Sequence, residues 1–541
     1  MKKNIAFPML ALACANVSAA TPESEPQKEK LPNIICITCE DISPMIGCFG
    51  DKVAVTPNLD KFSERAIRYT NMHSNVGVSS PSRYALITGR YPMADGANYM
   101  RTISAPHQKP KGIKPYSVIV DPSVKCYTEY LRAAGYYCTN NEKTDYQFEL
   151  PATAWDECGK DAHWKHRPEG MPFFSIFNLF VTHESQSWVR AEKPFSVDPK
   201  DIVVPPYYPD TKTVRHDMAV TYSNITEMDR QFQKLYDELE AAGELENTIV
   251  IWYSDNGGPL PHHKREIYDR GTLVPFMISF PDKYKAGVAT DQIVQFVDIP
   301  ATILSLVGIE TPEYMHGIPF LGKYATQSPR QYAFGGRDRM DECIDKQGYI
   351  RDHRYRYVRN YYPGQTQYLN VAYRLNLPMM NELLDLHKQG KLNKDQDRFF
   401  SLPRPAEEFY DLEKDPYELH NVIDDKDYAA EIERMRKDYD NWIQTQTPDW
   451  LIPEIDNIKR ILPDGKQPVV AQPFVRIEKN KVTLNSLTPG ASINYRIVSP
   501  KGETSRWMIY HEPFAIEAGS AVETVAARIG YADSQLKRVN L

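Results

Sequence analysis

Four short apolar runs, each closing on a polar cluster, constrain this chain more than any other feature of its 541 residues. Asn33 to Thr38 leads to Glu40-Asp41, and Tyr136 to Thr139 leads to a loop, Asn140 to Tyr146, that carries Lys143. Phe173 to Val181 stops at His183, and Thr248 to Tyr253 stops at Ser254-Asp255-Asn256-Gly257-Gly258. Runs of this length without polar alternation are expected of strands buried on both faces. A further run, Val274 to Phe280, reads the same way.

Between the runs lie helical patterns. Asn58 to about Ala66 and Cys126 to Ala134 are two of them, the second ended by Gly135. Asp217 to Ala242 repeats apolar residues at Tyr222, Ile225, Phe232, Leu235 and Leu239 before Gly243, and Asp298-Ile299-Pro300 opens another helix. Alternation of this kind predicts an α/β fold with a mainly parallel central sheet covered on both faces. Ligands of such sheets bind beyond the carboxyl ends of the strands. Glu40-Asp41, Lys143, His183 and Asp255-Asn256 are therefore expected to meet in one crevice, although the acidic pair taken alone also fits a capped turn into Ser43-Pro44.

The stretch Ser79-Ser80-Pro81-Ser82-Arg83, continuing to Thr88-Gly89-Arg90, runs from small residues into an apolar helix. Free backbone N–H groups at a helix start can hold an anion, and the same residues also suit an ordinary cap with Pro in the first turn. Paired carboxylates with an Asp and an Asn make an all-oxygen donor set, which suits Ca2+ or Mg2+ and not zinc. With Arg83, Lys143 and Lys264 nearby, such a dication would hold a tetrahedral oxyanion, and His183 has the type for a general acid.

A net charge of -7 with 25% charged residues does not suit a nucleic-acid-binding surface. Lys2-Lys3, the apolar run Ile5 to Ala13 and small residues up to Ala20 read as a secretory signal over residues 1–20, which implies a periplasmic or secreted protein. Cys14 after Ala11-Leu12-Ala13 leaves lipid anchoring as an alternative. No later stretch is long enough to span a bilayer. Seven further cysteines lack the spacing of a disulfide framework and read mostly as buried thiols, with room for one bridge.

The Ser79 to Arg90 stretch resembles the signature of the sulfatase family, in which a Cys or Ser at the position of Ser79 is oxidised to formylglycine. The likeness extends over roughly Asn33 to Asn421. It implies an alkaline-phosphatase-like sandwich in which Glu40, Asp41, Asp255, Asn256 and the modified Ser79 ligate a metal, usually Ca2+. It also implies that Arg83 orients formylglycine, that Lys143 and Lys264 bind sulfate, and that His183 lies near the leaving-group oxygen. Asp145 stands where the family usually has a His. A serine attacking sulfur would leave a stable ester, whereas hydrated formylglycine has a second hydroxyl that can expel sulfate. Ser rather than Cys at 79 resembles bacterial members matured by a radical enzyme, which would be a partner. His262 and His263 read either as pocket rim or substrate contacts, or as plain surface.

Tyr410-Asp411-Leu412, Asp415-Pro416 and Glu418 resemble the closing motif of the family. The expected organisation is a linker at 21–30, a catalytic core at 31–347, a smaller subdomain at 348–463 and a β-sandwich at 464–541. Tyr349 to Tyr357 reads as exposed strands and Lys391 to Arg404 as a solvated face. The last segment is similar to the β-rich domain appended to bacterial chitobiases; it reads as packing or a spacer, with carbohydrate binding through Trp507 or Tyr510 as the alternative. The implied substrate is a sulfated glycan, and Ser74 to Arg83 with Thr182-His183-Glu184-Ser185 resembles N-sulfoglucosamine sulfohydrolase-like members. A phosphodiester or phosphonate hydrolase of the same superfold, or a non-catalytic glycan-binding protein, remains the alternative.

Overall fold

The computed structural model describes residues 31–105 and 108–540. The expected signal and linker at 1–30, with Cys14, lie outside the described residues. Residues from Pro32 onward form one compact unit. Its centre is a nine-stranded sheet made of β1 (Asn33–Cys39), β2 (Ala66–His73), β3 (Tyr137–Asn141), β4 (Glu157–Cys158), β5 (Phe173–Leu179), β6 (Thr248–Ser254), β7 (Leu273–Ser279), β8 (Ala289–Thr290) and β9 (Val294–Gln295). The order is β4-β3-β5-β1-β6-β7-β2-β8, with β9 also on β2. Pairing is parallel except at β7, which runs against both β6 and β2.

The absence of polar alternation in the strands has a direct cause. Ile34 and Cys36 of β1 enter one core with Tyr84, Leu131 and Ile303, while Ile35, Ile37 and Cys39 enter the other with Met218, Ile225 and Phe232. Helices Ser79–Thr88, Tyr127–Ala133 and Asp298–Leu306 cover the first face, and Lys212–Ala241 covers the second. Burial on both sides requires apolar residues at every position. Strand β2 departs from the expected helix over Asn58 to about Ala66: that helix stops at Ser63 and the strand begins at Ala66.

A second, antiparallel sheet follows with β10 (Ala333–Arg337), β11 (Gln347–Arg351), β12 (Tyr355–Asn360) and β13 (Glu407–Asp411). The expectation of exposed strands at Tyr349 to Tyr357 is overturned, since Met435, Tyr439 and Trp442 of helix Ala429–Gln446 join Ile350 and Tyr357 in one cluster while Tyr349 packs with Ile267 and Tyr268. The seam to the first sheet is filled with paired charge. Arg337 holds Glu266 and Asp345 at 2.7 Å each, and Arg404 holds Asp345 at 2.6 Å. Lys391 and Lys394 are exposed as expected, but Arg398 meets Glu408 at 2.9 Å and Phe399, Phe400 and Arg404 are buried, so the solvated face does not extend over the whole run to Arg404.

Two small sheets close the chain. One contains β14 (Phe474–Glu478), β15 (Lys481–Asn485) and β18 (Phe514–Ala515); the other contains β16 (Ser492–Val498), β17 (Met508–Ile509), β19 (Ala521–Ala527) and β20 (Lys537–Asn540). They share a core of Val482, Leu484, Ile493, Ile516, Val522 and Ala526. They also dock on the central sheet's edge, where Arg132 donates to Asn494 at 3.0 Å and Arg528 to the carbonyl of Val120 at 2.8 Å. A Cβ on Gly490 would stand 1.9 Å from the Pro122 carbonyl, so backbone meets backbone there.

Candidate active site

The register of β1 and β6 assembles the site, because Cys39 pairs with Ser254 and so sets Glu40 and Asp41 beside Asp255 and Asn256. Carboxylate oxygens of Glu40, Asp41 and Asp255 lie within 4.8 Å of one another, all buried. Asp41 adopts a left-handed backbone (φ 53), which turns the chain sharply at the strand end. The Asn256 amide donates to Asp41 Oδ1 at 2.8 Å.

Ser79 opens helix Ser79–Thr88 after the extended Val78, and Gly89 closes it in the left-handed region with its N–H on the Ala85 carbonyl. Its hydroxyl donates to Asn256 Oδ1 at 3.1 Å, which brings the helix start against the carboxylates. Close approach of this loop depends on Gly77, where a Cβ would stand 2.2 Å from the Glu266 carbonyl. One turn on, Arg83 donates from Nε to Asp255 at 3.0 Å and lies 3.8 Å from Glu40.

The remaining cations converge on the same acids. Lys143 reaches Glu40 Oε2 at 2.5 Å, and Lys264 reaches Asp41 Oδ2 at 2.5 Å. His183 Nε2 is 3.9 Å from Glu40 Oε2. The Ser185 backbone N–H donates to His183 Nδ1 at 3.2 Å, which assigns the ring proton of the neutral imidazole to Nε2, facing the site. Burial, then the charges of Lys264 and Lys143, drive the His183 pKa far below its usual value, so the ring is neutral. Burial, only partly offset by Lys143, lifts the Glu40 carboxyl above its ordinary range.

All nine sequence-predicted residues thus meet in one place. Asp145 stands beside them, 3.6 Å from Lys143 with a side chain 43% exposed. His262 and His263 behave differently. Both are buried, His262 stacking on Phe399 at 4.0 Å and His263 lying between Ser43 Oγ and the Tyr207 hydroxyl, so neither is plain surface. Burial brings the His263 pKa down to about 3. Sequence reasoning missed Asn178, whose Oδ1 accepts from Arg83 at 2.7 Å while its amide donates to Asn140 and Asn141. It also missed Glu184, which receives Arg265 at 2.8 and 2.9 Å and whose N–H donates to Asp41 at 2.6 Å. The sole clue was adjacency, as Glu184 follows His183 and Arg265 follows Lys264.

The donor set fits a hard dication. It consists of oxygens, and Glu40 Oε1 is buried without a hydrogen-bond partner, an expensive state unless something cationic meets it. A family model described as Sulfatase matches residues 32–309, and one described as N-sulphoglucosamine sulphohydrolase, C-terminal, matches 261–393. The chain belongs to the sulfatase family. An ulvan-active sulfatase of Formosa agariphila is 40% identical to this sulfatase, covering 94% of this chain and 91% of its own. Human N-sulphoglucosamine sulphohydrolase is 24% identical, over 77% of this chain and 90% of its own. Among solved structures, one in complex with its substrate D-glucosamine-2-N,6-O-disulfate superposes with a TM-score of 0.56 at 16% identity, covering 79% of this chain and 99% of that one. The phosphonate monoester hydrolase of Agrobacterium radiobacter superposes at 0.53 with 18% identity, covering 78% and 96%. At such identities these two establish the alkaline-phosphatase-like fold and no more. Seven cysteines are free among the described residues, and no described helix is long and apolar enough to cross a membrane.

Proposed function

We propose that this sulfatase removes sulfate, as ester or sulfamate, from sulfated glycans of the glycosaminoglycan or ulvan kind, using formylglycine made from Ser79. The observation that carries the reading is the contact of Ser79 Oγ with Asn256, beside three buried carboxylates and within one helical turn of Arg83. Relatives acting on ulvan and N-sulphoglucosamine support the substrate class.

Glu40, Asp41, Asp255, Asn256 and residue 79 would hold Ca2+, with Mg2+ the second choice. When bound, the ion supplies Lewis-acid charge for the nucleophile and the sulfate oxygens. Arg83, fixed by Asp255 and Asn178, orients residue 79. Lys143 and Lys264 neutralise charge on the sulfate in flight. His183 presents Nε2–H to the leaving oxygen, and Ser185 fixes that orientation. The formylglycine hydrate supplies the second hydroxyl that a serine lacks. Secretion to the periplasm or beyond, maturation by a radical enzyme, and division into core (31–347), subdomain (348–463) and accessory β-sandwich (464–541) belong to the same proposal.

The test is the mass of the Ser79 peptide from protein made alongside a radical maturase, paired with sulfate release from sulfated oligosaccharides. Loss of two hydrogens and sulfate release support the reading. An unmodified serine, with phosphonate or phosphodiester turnover exceeding sulfate-ester turnover, would replace it with the phosphoryl alternative.

A further inference from the structure

A line of charged side chains leads away from the carboxylates past His183. Lys264 Nζ lies 2.5 Å from Asp41 and 3.9 Å from Glu184, and Arg265 grips Glu184 with both terminal nitrogens. Arg265 Nε then stands 3.4 Å from Asp341 Oδ2, and Arg101 Nε 3.7 Å from Asp341 Oδ1. The line is well bonded until Asp341. That residue is 1% exposed, yet neither of its carboxylate oxygens accepts a hydrogen bond, and Arg265 Nε donates none. A buried carboxylate with empty acceptor positions is costly unless a ligand fills them.

Arg101 forms the outer end. Its side chain is 20% exposed, its backbone is left-handed (φ 58), and its guanidinium lies 5.4 Å over the ring of Tyr373, which meets Trp188 edge-on at 5.1 Å. Gln108 receives one of its terminal nitrogens, and no carboxylate among the described residues hydrogen-bonds it. Through Asp341 and Arg265 it connects to Glu184, the residue after His183, which ties it to the leaving-group side. A guanidinium on an aromatic floor, with one terminal nitrogen on a neutral amide and its charge reaching the surface, suits an oxyanion.

We propose that Arg101 and Asp341 form a subsite for a second acidic group on the sulfated sugar, with Arg101 taking the oxyanion and Asp341 accepting a neighbouring hydroxyl. The oxyanion is a uronate carboxylate or a second sulfate. The inference rests on the glycan reading and turns it into a preference for doubly anionic substrates.

The experiment compares three ligands: a sulfated disaccharide containing a uronate, its carboxyl-reduced counterpart, and a uronate-free disaccharide with two sulfates. Binding is titrated in Ser79→Ala protein, and turnover is followed in matured protein. Arg101→Ala should weaken binding of the uronate form by about tenfold and raise its KM similarly while kcat changes less. The reduced form should lose less than about threefold, and Arg101→Lys should recover part of the loss. Asp341→Asn should weaken uronate and reduced forms alike, because it acts on the hydroxyl. A penalty on the disulfated ligand identifies sulfate as the oxyanion, and a penalty on the uronate identifies carboxylate. Equal losses on all three, or none, overturn the subsite while leaving the glycan reading intact. Should Arg101→Ala not fold, Arg101→Lys and Arg101→Gln carry the same comparison. A matured protein that neither binds nor desulfates any of the three overturns the glycan reading itself.

Discussion

The crevice at the strand ends and the seam between the two large sheets both bury many charges, and they bury them in opposite ways. In the seam, arginines separate the acids: Asp345 lies between Arg337 and Arg404, and Glu266 between Arg337 and Arg374. In the crevice three carboxylates face one another within 4.8 Å even though each has a cation, Lys143, Lys264 or Arg83, within 3.0 Å, and Glu40 Oε1 keeps no hydrogen-bond partner among the described residues. Charge that is paired off holds a fold together. Charge crowded with its own sign stays only where a ligand or a reaction relieves it.

The largest effect that tests this contrast is on rate. Ser79→Ala should reduce sulfate release by at least about 10^4-fold in an assay of matured protein. Its melting curve should move little, since one hydroxyl contact contributes about 1 kcal/mol. The seam should respond the other way round. Asp345→Ala strands two buried guanidinium groups and should cost about 3–5 kcal/mol in denaturant unfolding. If it leaves stability intact, the contrast collapses.

Metal removal comes next. Adding Ca2+ to chelated protein at a hundredfold over its dissociation constant should stabilise by about 2.7 kcal/mol, read as a rise in Tm. Glu40→Gln should abolish that rise. The smallest effect concerns pH and Asp338, which burial lifts to about 6 despite Lys346 beside it. The folded state holds this proton more tightly than the unfolded chain, so the contribution is complete below the ordinary carboxyl pKa of 3.8 and is lost as pH rises through about 6. Asp338→Asn removes that dependence. Its stability relative to the parent should therefore improve by about 2 kcal/mol between pH 4 and pH 8, measured by urea titration.

Why the crevice was legible in the sequence and the seam was not follows from distance along the chain. Most crevice residues stand next to a strand end or in the first turn of a helix, so a local pattern places them; Lys264, ten residues past β6, follows only from the family resemblance. Arg337 meets Asp345 eight residues on, but Glu266 and Gln367 lie 71 and 30 residues from it and Asp345 lies 59 from Arg404, and no periodicity points to them. For that reason Lys391 to Arg404 reads as solvent-facing although Arg404 is buried. Asn178 was hidden because it sits inside an apolar strand, where one polar residue looks like a lapse in the pattern. His262 and His263 were misplaced because a polar pair after a turn looks exposed, while Phe399, from more than a hundred residues on, covers His262. Strand β2 was lost because a helix ending at Ser63 and a strand beginning at Ala66 leave only two residues between them.

Ser79 is 2% exposed, pinned at a helix start against a strand that begins 169 residues later, at Thr248. No second protein can seat that side chain in its own active centre once β6 has paired with β1. The conversion proposed for Ser79 therefore belongs to the nascent or unfolded chain, and the order of events becomes a matter of timing. A molecule that folds before it meets its modifying partner is locked in the serine form until it unfolds again.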